Sequence, residues 1–262
     1  GDLCALAGPD PLIIEMKSSG NTNARMDRQI SGIVEIAQFF ARDFAESFRG
    51  MPNVHRVEVL PDEAVHSAIA NECMSEALAG GWSVRHPEEG LTYLAFTSEF
   101  SDEPTRMDVL FRSEAGPGKI AFFLSPDETW LPAYPFSLSF TPSNLLPFVR
   151  GTLCLAVLVD ALVLLRLMRE RGMGAWGIMD GTWAFQIARS QADPSQGMFR
   201  VSERNFGRIG CEFQSLVWWI EAQAVLWDGT EKLIPSLEDV SYQEVPRDWL
   251  ELTCCFADLT DR

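Results

Sequence analysis

A chain of 262 residues can bury a full hydrophobic core and can hold one large domain or two. Its 47% apolar and 22% charged residues are those of an ordinary globular protein and exclude a disordered or fibrous chain. A net charge of −16 excludes nucleic-acid binding through a broad basic surface, because phosphate contacts of that kind rest on Lys and Arg.

The chain opens with two strand-like runs, Asp2-Leu3-Cys4-Ala5-Leu6-Ala7 and Leu12-Ile13-Ile14-Glu15, separated by the turn residues Gly8-Pro9-Asp10. Alternation along the second run puts Glu15 and Lys17 on one face and Met16 on the other. An acid and a lysine at the end of a buried strand are costly unless they share a task. A tight turn between the runs brings Asp2 near both. Ile30, Ile33, Val34, Ala37, Phe40, Phe44 and Phe48 then follow the three-and-four spacing of one long amphipathic helix. Asn23 is its expected N-cap, and Gly50 with Pro52 its expected stop. Residues 54–59 alternate as a strand, and Asp62 caps a helix expected over 63–78.

Gly80-Gly81 and the run from Arg85 to Gly90 mark a break, which sets expected domains of residues 1–80 and 81–262. Strands are expected at 91–97, 107–112, 119–124 and 136–140. Residues 153–168 are nearly all apolar apart from Asp160 and Arg166. They fall short of the ~20 residues of a membrane span and carry an acid at the centre, so a buried core helix is expected and no membrane association. Residues 176–188 read as two strands around the hairpin pair Asp180-Gly181. Residues 206–227, with Trp218, Trp219 and Trp227, read as a second long packed helix, and the tail from Pro235 as an acidic surface segment. Six cysteines without a Cys-x-x-Cys pair, and only three histidines, argue against a structural zinc site. Several of the cysteines lie in apolar runs, as reduced buried thiols do, and no signal-peptide pattern is visible, so a cytoplasmic location is expected.

The N-terminal constellation resembles the PD-(D/E)xK, or restriction-endonuclease-like, nuclease superfamily, with the nearest likeness to Holliday-junction-resolvase-like domains. It covers roughly the first sixty residues: Asp2 on one strand, Glu15-Met16-Lys17 on the next, the exit Ser18-Ser19-Gly20, and the helix that follows. The resemblance implies that Asp2, Glu15 and the Met16 carbonyl hold Mg²⁺ or Mn²⁺, and that Lys17 is the catalytic cation beside the attacking water. It also implies that Gln29, in the first turns of the helix, reaches toward the site. Two departures stand: Ile33 and Val34 occupy the places where the RecB-like branch carries Tyr, and the family's usual helix before the Asp strand would lie ahead of Gly1, where the sequence begins. The expected fold is therefore α+β: a restriction-endonuclease-like α/β core, then a β-rich part with two long buried helices.

The expected activity is metal-dependent endonucleolytic hydrolysis of DNA, with RNA left open as substrate. The rival reading is a catalytically inactive nuclease-like binding or assembly protein in a larger complex. Residues 1–60 hold six basic and eight acidic residues, so −14 of the net charge falls on the remaining 202. That acidic excess suits solubility, docking of a basic protein partner, or restraint of DNA binding.

Overall fold

The computed structural model describes residues 2–5, 12–15, 24–48, 50–56, 62–101, 109–110, 113–115, 118–124, 139–190, 192 and 197–233. The protein is α+β, and it divides into two compact units, Gly1–Val59 and Leu60–Arg262.

In the first unit, β1 (Asp2–Ala5) and β2 (Leu12–Glu15) pair as an antiparallel hairpin. Helix α1 (Ala24–Arg42) follows, then a second antiparallel hairpin of β3 (Phe44–Phe48) and β4 (Met51–His55). The helix was expected to run on through Phe44 and Phe48. Instead it stops at Arg42, because Asp43 takes a left-handed conformation with φ 57°. Asp is one of the few residues that adopts this conformation readily, and Arg56 holds it there through an ion pair of 2.6 Å and a backbone bond of 2.9 Å to the Asp43 carbonyl. Phe44 and Phe48 fit helical spacing and strand alternation equally well. The partner strand decides between them, since Phe48 pairs with Met51 around a two-residue turn in which Gly50 has φ 84°. Gly50 thus turns a hairpin rather than stopping a helix; of the strand expected over 54–59, Val54 and His55 fall in β4 (Met51–His55), and residues 57–59 lie outside the described ones. Phe39 stacks on Phe48 with ring centroids 4.8 Å apart, and the Arg56 guanidinium lies 5.1 Å from the Phe40 ring centre.

The second unit begins before the expected boundary at residue 80. Helix α2 (Ser67–Gly80) buries Ala70, Cys73, Met74 and Ala77 in the same core as the strands that follow it, and so belongs with them. Those strands are β5 (Trp82–Glu88), β6 (Leu91–Thr97), β7 (Lys119–Leu124) and β8 (Leu153–Asp160), which form one antiparallel sheet in the order β5-β6-β8-β7. The two central strands are covered on both faces. Leu91, Tyr93 and Ala95 of β6, with Leu155, Val157 and Val159 of β8, join the main core; Leu94, Phe96, Ala156 and Leu158 face a smaller cluster with Leu110.

Burial on both faces explains the misreading of residues 153–168. A continuous apolar run cannot be told from a buried helix by periodicity, and here it is strand β8 followed by a separate helix. Asp160 makes the switch: it ends β8 and caps the next helix, accepting hydrogen bonds of 3.0 Å from the Leu162 and Val163 amides. The short α3 (Ser98–Ser101) leaves β6, α4 (Pro142–Val149) leads into β8, and α5 (Ala161–Glu170) leaves it. Residues 107–112 were expected as a strand, but Val109 and Leu110 are helical. Ser139 and Phe140, expected in another strand, lie in a turn; residues 131–138 fall outside the described ones.

A second sheet holds β9 (Gly174–Gly177), β10 (Trp183–Ala188) and β11 (Met198–Ser202), with β10 in the middle. The β9–β10 hairpin forms at the expected Asp180-Gly181, where the Asp180 carboxylate accepts from the Thr182 and Trp183 amides at 2.9 and 2.7 Å. Residues 206–227 are two helices rather than one, α6 (Glu203–Cys211) and α7 (Leu216–Leu233). The chain breaks at Phe213, which has φ 57°, and Gln214 bridges to Val65. Phe185, Phe206 and Trp219 meet edge to face at centroid distances of 4.9–6.2 Å. Among the described residues no helix is long and apolar enough to cross a membrane.

Gly210 of α6 lies directly against Phe122 of β7, and a Cβ there would stand 2.7 Å from the Phe122 Cβ. Ala ordinarily gains ~1 kcal/mol over Gly inside a helix, but overpacking costs ~1–3 kcal/mol. Gly210→Ala is therefore expected to lower the urea midpoint followed by Trp fluorescence. A raised midpoint would mean that α6 and β7 are not in contact.

Candidate functional site

The β1–β2 register places Asp2 directly opposite Glu15, with Leu3 opposite Ile14, Cys4 opposite Ile13 and Ala5 opposite Leu12. Directly opposed residues of an antiparallel pair have Cβ atoms ~4.5–5.5 Å apart, and like charges in those positions repel. Met16 and Lys17 lie outside the described residues. Gln29 falls within the first turns of α1, at its sixth residue.

The second unit contains a polar cluster that the sequence reading did not anticipate. Glu88, at the end of β5, accepts hydrogen bonds from the Ser215 hydroxyl at 2.9 Å and from the Leu216 amide at the start of α7. His66 Nε2 stands 3.5 Å from the same carboxylate. Ser215 in turn accepts from the Trp218 amide at 3.1 Å, so it caps α7 while donating to Glu88. The His66 amide bonds to the Phe213 carbonyl at 2.7 Å and the Ser215 amide to the Ala64 carbonyl at 2.8 Å. Arg208 binds Glu63 at 2.8 Å and Glu212 at 2.7 Å, and so ties residues 62–66 to the end of α6. The acid lies between the serine and the histidine. That order does not relay a proton from serine to imidazole, and the cluster acts as a structural cap.

Cys73, Cys154 and Cys211 are free thiols. Burial pushes Cys73 up to about 11 and Cys211 up to about 12, and raises Cys154 as well. Burial, with the Glu88 carboxylate nearby, also drives the Tyr93 phenol upward. These thiols are held as neutral packing groups, as the sequence suggested, and none is an activated nucleophile. Among the described residues no group of three or more His, Cys, Asp or Glu side chains is placed to hold a metal ion. The side chains of Asp2 and Glu15 are not among those described.

No family model, curated protein or solved structure matches the chain.

A cap that satisfies two donors with one half-buried carboxylate is expensive to lose. Glu88→Ala is expected to reduce the unfolding free energy by ~1–3 kcal/mol in urea titration, because the Leu216 amide and Ser215 hydroxyl lose their partner. A change within error would show that water replaces the carboxylate at no cost.

The raised thiols give a pH dependence with a definite sign. Below the ordinary thiol value of 9.0 both folded and unfolded chains keep these protons, so the full contribution is present. Above it the unfolded chain releases protons that the folded chain retains up to about 11 at Cys73, and stability falls across that window. The urea midpoint is expected to drop between about pH 9 and about pH 11, and to drop less in Cys73→Ala. An equal fall in both proteins would assign the alkaline loss to other groups.

Proposed function

We propose that the chain is a metal-dependent nuclease that hydrolyses DNA phosphodiester bonds at a site built on the β1–β2 hairpin. The observation that carries this reading is the pairing of Asp2 with Glu15 across the hairpin. The opposed positions match the span that two carboxylates bridge when they share one cation with oxygen ligands at ~2.0–2.6 Å. The proposed donor set is Asp2, Glu15 and the Met16 carbonyl. It is all oxygen, which suits Mg²⁺ or Mn²⁺ and not a thiolate-loving metal.

The element order β1, β2, α1 and then a strand supports the restriction-endonuclease-like reading of the first unit. The second hairpin adds a strand to that order, and it pairs only within itself among the described residues.

When bound, the cation neutralises phosphate charge and lowers the pKa of a coordinated water. Lys17 is assigned to stabilise the charge that develops on the phosphate, and Gln29 to position substrate or water. The near-neutral first unit is compatible with this chemistry because the metal itself supplies positive charge to the phosphate. Fourteen of the sixteen net negative charges lie beyond residue 60, where we place a recognition or regulatory role with a basic protein as the fitting partner.

The test is cleavage of single-stranded, duplex and branched DNA by the intact chain with Mg²⁺ or Mn²⁺ and a chelator control. Lys17→Ala and Glu15→Ala are each expected to reduce cleavage by at least ~10²–10³-fold, Gln29→Ala by less. Full cleavage in Lys17→Ala would place the active site elsewhere. No cleavage by the intact chain on any of these substrates would favour a nuclease-like binding or assembly protein instead.

A further inference from the structure

A cavity of about 290 Å³ lies in the second unit, between strand β11, the first turn of α6 and the middle of α7. It is independent of the metal site proposed above. Its volume is near the lower end of the ~300–1,000 Å³ of small-molecule sites. Trp183, Phe199 and Leu226 supply aromatic and apolar lining; Asn205 and Gln223 supply amides.

Both amides are oriented by one residue, Trp219. Its indole Nε1 donates to Asn205 Oδ1 at 2.9 Å, and its backbone carbonyl accepts from Gln223 Nε2 at 3.3 Å. An indole N–H only donates and a carbonyl only accepts, so neither amide can be flipped. Among the described residues, the Asn205 Nδ2 donor and the Gln223 Oε1 acceptor are thereby left for another partner. Gln223 is only 2% exposed as a residue. Two amide edges held in fixed orientation beside aromatic walls suit a ligand that is both flat and polar at its edge.

We propose that this cavity binds a planar heterocycle of the nucleobase class, which presents a hydrogen-bond acceptor beside a donor on one edge. The acceptor accepts a hydrogen bond from Asn205 Nδ2 and the donor donates one to Gln223 Oε1, while Trp183 and Phe199 contact the ring. The two sources of such a ring are a free nucleoside and a base of a single strand.

The test is calorimetric titration of the intact chain with uridine, cytidine, adenosine and guanosine, with short single-stranded DNA, and with benzene as a ring lacking a polar edge. At least one nucleoside or oligonucleotide is expected to bind with Kd below ~1 mM. Gln223→Met, which keeps the side-chain volume, is expected to weaken that binding about tenfold or more while leaving benzene binding unchanged. Asn205→Asp keeps an acceptor for the Trp219 indole but removes the free donor, and is expected to weaken nucleoside binding to a similar degree with a native thermal transition. Tighter binding of the oligonucleotide would identify a strand as the source of the ring, and tighter binding of the nucleoside a free metabolite. No binding of any nucleoside or oligonucleotide, or binding unchanged in both variants, would overturn the proposal and leave a solvent-filled cavity.

Discussion

Glu88 ends β5 with its carboxylate at the first turn of α7, and this contact settles where several other groups fall. A helix N-terminus carries unpaired amides and a partial positive charge, so an acid brought to it from another element fixes the point at which the helix begins. Once α7 starts at Leu216, Trp219 is set one turn inside, against Phe185 and Phe206. From there Trp219 orients the amides of Asn205 and Gln223. The chain from Ala64 to His66 is bonded to Phe213 and Ser215 just before the same cap. The β5–β6 hairpin, the head of α2 and the cavity wall thus meet at one half-buried carboxylate.

The two units differ in how they are held together. The second has a continuous core from Ala70 to Ala222, with Trp219, Tyr93, Phe148 and Phe185 almost wholly inside. In the first, none of the side chains described between residues 30 and 56 is fully buried, and Ile30 and Val34 remain 43% and 47% exposed. Among the described side chains there, Phe39 stacks on Phe48 and Asp43 pairs with Arg56. If the proposed metal site is right, the opposed acids of the β1–β2 hairpin would carry a functional cost, repelling each other until a cation neutralises them.

The sequence made short-range structure legible wherever pattern and partner agreed. Asp180-Gly181 announced its hairpin because the turn chemistry is local, and residues 91–97 and 119–124 read as strands because their ends are marked by turn residues. Phe44 and Phe48 misled because four-residue spacing also satisfies alternation, and only the partner strand at Met51–His55 separates the two. The run 153–168 misled because a strand covered on both faces has no periodicity of its own. The break at Phe213 came from long-range contacts with residues 64–66, which nothing local marks.

For the candidate sites the same division holds. The pairing of Asp2 with Glu15 followed from the turn residues between the two runs, while the cavity amides sit in ordinary helical sequence. Their one signal was the spacing of Trp219, Gln223 and Leu226 along a single helix face, three to four residues apart.

The central claim is that the carboxylates of Asp2 and Glu15 share one divalent cation. Mn²⁺ titration followed by the electron paramagnetic resonance signal of the free ion measures it without reference to any substrate. The expected result is one bound ion per chain in the native protein, displaced by Mg²⁺ and lost in Glu15→Gln. Undiminished Mn²⁺ binding in Glu15→Gln, or none in the native protein, would contradict the account.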